Sequence, residues 1–122
     1  RERRRHVRVR PSANRPVSAR IVIDNDEVVQ VEPVDISTGG ISFMMTEEMS
    51  RFKSGDAVEL VITVPAFGEV RAGATVRSVV HLMDLTRIGV EFSSLPDDAL
   101  RLITEYVSER ERQTGLAVFE DN

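Results

Sequence analysis

At 122 residues and 41% apolar composition, the chain is sized for one domain with one core. It has no cysteine and two histidines, which excludes disulfides, thiolate metal sites, cysteine nucleophiles and a histidine-rich metal centre. The net charge of −4 divides unevenly: residues 1–20 carry eight arginines against Glu2, and the rest carry eight basic against nineteen acidic groups. A positive end on an acidic body points to an anionic partner at that end, although an arginine-rich terminus alone reads as a solvated arm. Fifteen of the sixteen basic residues are arginine, whose planar fork of donors suits phosphates and guanine edges better than the point charge of lysine. No apolar run reaches the ~18 residues of a membrane span. The first residues are charged, unlike a signal peptide. Together these features predict a soluble, cytoplasmic protein, and the opening on Arg1 rather than Met suits one piece of a longer chain.

The body reads as β. Val17, Ala19, Ile21 and Ile23 alternate with Ser18, Arg20 and Asp24, the period of a half-buried strand. Asp24-Asn25-Asp26 signals a turn, and lacks the glycine and distant glutamate of a calcium loop. A returning strand runs from Glu27 to Ile36. Asp35 to Gly40 breaks the pattern. Ile41 to Met45 is a short apolar strand, and Glu47 to Phe52 suits one helical turn. Met44, Met45 and Met49 read as strand and core filling. Val58, Leu60, Ile62 and Val64 alternate up to Pro65, and Phe67-Gly68 turns the chain. Val70, Ala72, Ala74 and Val76 alternate with Arg71, Gly73, Thr75 and Arg77, and Ile88, Val90 and Phe92 form the last strand. Strands at this spacing predict a closed or nearly closed antiparallel barrel.

The period then changes. Leu95, Ala99, Leu102, Ile103, Tyr106 and Val107 recur at three and four, one apolar stripe on a helix laid across the barrel. Ser94 with Asp97 suits a cap, Pro96 the first turn and Gly115 a stop. Leu116 to Phe119 follows as a short apolar tail.

Two segments carry chemistry. Arg4 and Arg8 sit four apart in a run of five arginines over eight residues, with little apolar anchor, which predicts a mobile arm. Asp35-Ile36-Ser37-Thr38-Gly39-Gly40 ends a strand with a carboxylate and a hydroxyl two apart and two glycines that allow close approach. Alone, the second segment reads as a strand ending in an Asx or Ser turn. Together, RxxxR near the chain start followed about 25 residues later by DxSxxG resembles the PilZ family. The motif positions here are Arg4, Arg8, Asp35, Ser37 and Gly40. Val34 to Ile41, Arg87-Ile88-Gly89-Val90-Glu91-Phe92 and the closing helix agree with that pattern, from roughly Arg3 to Val107.

The resemblance implies a six-stranded antiparallel β-barrel capped by one α-helix, an all-β fold with a C-terminal helix. It implies a bacterial receptor for the second messenger cyclic di-GMP, with a role in motility or biofilm regulation. Residues 1–12 then form a basic ligand-binding arm, 13–114 the barrel with its helix, and 115–122 a tail. Arg4 and Arg8 are assigned to a phosphate and a guanine edge, in either order. Asp35 and Ser37 are assigned to a guanine, and Gly40 to the room the turn needs. Arg3, Arg5 and Gly39 are secondary candidates. Ligand would pin the arm against the barrel, a disorder-to-order switch read by a fused domain or partner protein.

No nucleophile stands with a base, so the chain reads as a receptor and not an enzyme, with no cofactor or metal. Glu47-Glu48 and Asp97-Asp98 fall where acidic residues are ordinary, His6 reads as a bystander between the arginines, and His81 as a surface residue. Two rivals stand beside the receptor. One is a PilZ-like protein-interaction module without a nucleotide, against which the retained arginines argue. The other is a small-barrel nucleic-acid binder, against which the acidic body and few stacking aromatics argue; no DNA or RNA partner is expected.

Overall fold

The computed structural model describes residues 7–14, 16–22, 27–46 and 52–121, with side chains as far as Gln113. The strands are β1 (Ser18–Val22), β2 (Val28–Ile36), β3 (Gly40–Thr46), β4 (Ala57–Val64), β5 (Gly68–Leu82) and β6 (Leu85–Ser94), followed by helix α1 (Asp97–Asp121). Every pairing is antiparallel, and the order β1-β2-β3-β6-β5-β4 closes where β4 meets β1. The expected six-stranded barrel with a C-terminal helix is therefore the observed fold. Two three-stranded meanders are joined through β3 and β6, so the neighbour of β3 on that side is the last strand.

Alternation produces the core. Val70, Ala72, Ala74 and Val76 of β5 are buried, and Arg71 and Arg77 between and beyond them are exposed. Phe43, Ile21, Ile36, Ile41, Leu60, Ile62 and Ile88 are almost wholly buried, each worth about 1.5–3 kcal/mol relative to exposure. The helix adds Ala99, Ile103, Tyr106 and Val107 to the same cluster. Tyr106 meets Phe67 of the β4–β5 turn edge to face, with ring centroids 6.3 Å apart. Among the described residues no helix is long and apolar enough to cross a membrane.

Several boundaries differ from expectation. β5 continues past Arg77 to Leu82 and turns at Met83-Asp84 into β6. This extension lacks the inside–outside alternation because Val80, Leu82 and Leu85 are all substantially exposed. His81 lies within it and contacts the buried Thr86 hydroxyl at 3.3 Å. Met83 holds φ at 56° without being glycine, so the turn carries no Gly signal. The helix passes through Gly115 to Asp121; a helical glycine costs only about 1 kcal/mol relative to alanine. Ser94 ends β6, and the first helical hydrogen bond runs from the Leu100 amide to the Pro96 carbonyl at 2.9 Å. Ile23 to Asp26 and Glu47 to Arg51 lie outside the described residues.

The arm has more anchorage than its composition predicts. Val9 is buried in the core cluster and exchanges both backbone hydrogen bonds with Ile36, at 3.0 and 2.9 Å. The reading of an arm with little apolar anchor is corrected at this residue. Farther along, Arg110 Nε donates to the Arg10 carbonyl at 2.7 Å, and the Ser12 amide donates to the Tyr106 hydroxyl at 3.0 Å. The segment therefore runs from β2 onto the helix.

The core assignment has a direct stability test. Phe43→Ala is expected to lower unfolding free energy in urea by about 3–5 kcal/mol. Val28→Ala, at a half-exposed position, is expected to change it by no more than about 0.5 kcal/mol.

Candidate functional site

The turn from β2 into β3 is built by Ser37. Its amide donates to the Gly40 carbonyl at 2.9 Å, and its Oγ accepts the amides of Gly39 and Gly40 at 3.0 and 3.2 Å. The Gly39 carbonyl accepts the Phe92 amide at 2.9 Å, which holds the turn against β6. A Cβ on Gly40 would stand 2.1 Å from the Val90 carbonyl oxygen, so only glycine permits this approach of β3 to β6. A Cβ on Gly89 would likewise meet the Ser78 hydroxyl at 2.7 Å.

Asp35 lies just beyond an irregularity in the β2–β3 register between Pro33 and Asp35. Such a bulge re-aims the side chains that follow it. Ile36 enters the core while the Asp35 carboxylate faces two arginines. Arg8 Nη1 donates to Oδ1 at 2.7 Å. Arg87 Nη2, from β6, donates to Oδ2 at 3.1 Å and to the Ser42 hydroxyl at 3.4 Å. The carboxylate side chain is 15% exposed, but Arg8 is 60% exposed and Arg87 44%. Ion pairs of this exposure are worth about 0–1 kcal/mol, so the burial and backbone bonds of Val9 hold the arm more firmly than the ion pair does. Arg8 can therefore exchange partners at small cost.

A groove opens on both sides of Arg8. One lobe, of about 380 Å³, is lined by Ser37, Gly39, Gly40, Arg77, Val90 and Glu91. The other, of about 410 Å³, is lined by Asp35, Ser42, Val80, Leu82 and Arg87. Arg8, Ser78 and Gly89 border both. Arg77 Nε donates to Glu91 Oε1 at 2.7 Å. The described lining thus sets three arginines against two carboxylates, a balance that favours an anion.

The structure brings Arg8, Asp35, Ser37, Gly39 and Gly40 to this one groove. Ser37 is 2% exposed and its hydroxyl is engaged by the turn amides. Arg3, Arg4, Arg5 and His6 lie outside the described residues. Sequence reasoning gave no site role to Arg77, Ser78, Arg87, Gly89 or Glu91. All five are on β5 and β6, and only the β3–β6 pairing reveals that these strands adjoin the DxSxxG turn.

A family model for the PilZ domain matches residues 2–109. The chain belongs to the PilZ domain family. No curated protein sequence matches it significantly. Solved structures give the same fold. Bacillus subtilis MotI/DgrA, an inhibitor of motility, is 21% identical with a TM-score of 0.76, over 92% of this chain and 53% of its own. K. pneumonia MrkH, solved in complex with c-di-GMP, is 21% identical with a TM-score of 0.78, over 93% of this chain and 54% of its own. The PilZ domain of Escherichia coli YcgR, solved with c-di-GMP, is 15% identical with a TM-score of 0.74, over 96% of this chain and 98% of its own. This PilZ domain spans about half the length of the MotI and MrkH chains.

The close packing at Gly40 is testable. Overpacking costs about 1–3 kcal/mol, and for a domain of this size that corresponds to a fall in Tm of roughly 4–12 °C. Gly40→Ala is expected to fall in that range. An unchanged Tm would contradict the tight β3–β6 approach.

Proposed function

We propose that this PilZ domain is a receptor for cyclic di-GMP and that the Arg8–Asp35 groove is its binding site. The observation that carries the reading is the convergence of Arg8 and the Asp35 carboxylate beside the bare Gly39-Gly40 turn. Cyclic di-GMP carries two phosphates and two guanines. Guanine presents O6 and N7 acceptors that an arginine fork matches, and phosphates take guanidinium groups. Guanine also presents N1–H and N2–H donors, for which a carboxylate is the natural acceptor. Family membership and the c-di-GMP complexes of MrkH and the YcgR PilZ domain support the same ligand.

In this reading Arg8 takes a phosphate or a guanine edge together with Arg4, with Arg3 and Arg5 adding charge. Asp35 takes guanine donors, Ser37 sets the turn, and Gly39 and Gly40 allow the ligand to approach. The role is binding, not catalysis. Ligand orders the part of the arm, residues 1–12, that precedes the Val9 anchor, against the barrel of residues 13–114. The ordered arm then presents a changed surface to a fused domain or partner protein, and residues 115–122 extend beyond this signalling unit.

Calorimetric titration tests the ligand. The domain is expected to bind cyclic di-GMP in preference to GTP, GMP and cyclic di-AMP, because adenine reverses the donor and acceptor at position 6 and lacks the N2 amine. Equal affinity for cyclic di-AMP would remove the guanine assignment. Arg8→Ala should weaken cyclic di-GMP binding by about tenfold to a hundredfold, while Arg20→Ala, paired with Glu69 away from the groove, should leave it unchanged. Amide exchange at Val7 and Arg8 should slow when ligand is added, and exchange within Val70–Val76 should not. Equal exchange at Val7 and Arg8 with and without ligand would contradict ordering of the arm.

A further inference from the structure

We infer that Arg87 and Asp35 act as one reader of the guanine Watson–Crick edge, with Arg87 donating to O6 while Asp35 accepts from N1–H and N2–H. The inference rests on the cyclic di-GMP reading above and gives a specificity role to Arg87, for which the sequence suggested none. That edge presents an acceptor beside two donors. The groove presents the complement: a guanidinium in contact with a carboxylate, 3.1 Å from Nη2 to Oδ2.

Both groups have capacity to spare. An ionised carboxylate has about four lone-pair sites, and a guanidinium has five N–H donors. Arg8 and Arg87 occupy one site on each Asp35 oxygen. Arg87 spends donors on Asp35 and on the Ser42 hydroxyl at 3.4 Å. A guanine can therefore add its contacts without breaking the pair. Arg87 comes from β6, paired directly to β3, and its reach over Ser42 to Asp35 fixes its direction. The neighbouring lobe has room for a base, at about 410 Å³, with Val80 and Leu82 as its apolar wall. Adenine would turn its 6-amino donors toward the Arg87 donors and offer no N1–H to Asp35, so neither group would gain a contact to the base.

The test titrates the wild-type domain, Arg87→Ala and Arg87→Met with cyclic di-GMP and with its inosine analogue, which keeps O6 and N1–H but lacks the N2 amine. Melting temperatures verify folding, and Arg87→Met retains most of the side-chain stem. Both variants are expected to lose about tenfold or more in affinity for both ligands, by the same factor, because the O6 contact is common to both. The discrimination against cyclic di-AMP should narrow as well. Unchanged affinity in a folded variant would overturn the inference while leaving the receptor reading intact. A loss confined to cyclic di-GMP would also overturn it, since that pattern marks Arg87 as only holding Asp35 for the N2 amine. Failure of the wild-type domain to bind cyclic di-GMP would instead defeat the receptor reading itself, and this inference with it.

Discussion

The Asp35 carboxylate joins three stretches that are distant in sequence. Arg8 approaches one oxygen from the arm and Arg87 approaches the other from β6. The contact requires the barrel to close with β6 beside β3, which in turn requires glycine at position 40, where the strands approach too closely for a Cβ. It also requires Val9 to be seated against Ile36, since that bridge delivers Arg8 to the groove. The arginine sides of the ion pairs are exposed, which makes the pairs weak, so the apolar core and backbone ladder fix the geometry, and the guanidinium groups remain available to a ligand.

The same arm continues onto the helix. Only Val9 separates Arg8 from Arg10, whose carbonyl Arg110 holds, and the Ser12 amide reaches Tyr106. Tyr106 is buried in the core and stacks edge-on with Phe67. A change in the partners of Arg8 therefore occurs next to a segment pinned to β2 at Val9 and to α1 at Arg10 and Ser12. That placement gives the proposed ordering of the arm a short mechanical route to the helix, and from there to whatever adjoins it.

Much of this was legible in the sequence. Alternation in β4 and in the first half of β5 identified strands because each has one face in the core. The stripe from Ala99 to Val107 identified the helix because one face of it covers the barrel. Arg8, Asp35, Ser37, Gly39 and Gly40 were legible through their joint resemblance to a known pattern and do meet at one groove. Val9 was hidden because a lone valine among arginines leaves no periodic trace. The end of β5 was hidden because Val80 and Leu82 are exposed apolar residues on a hairpin beyond the core, and Met83 turns the chain without a glycine. The site roles of Arg77 and Arg87 were hidden for a topological reason: nothing local shows that β6 pairs with β3 and brings β5 with it to the groove.

The most direct test is the affinity of Asp35→Ala for cyclic di-GMP, measured by calorimetry with the melting temperature as a control. If the groove reads guanine, removing the carboxylate strips the N1–H and N2–H donors of their acceptor, and binding weakens. If the basic arm merely attracts an anion, removing a negative charge strengthens binding. The account predicts weaker binding by a folded variant; tighter binding would contradict it.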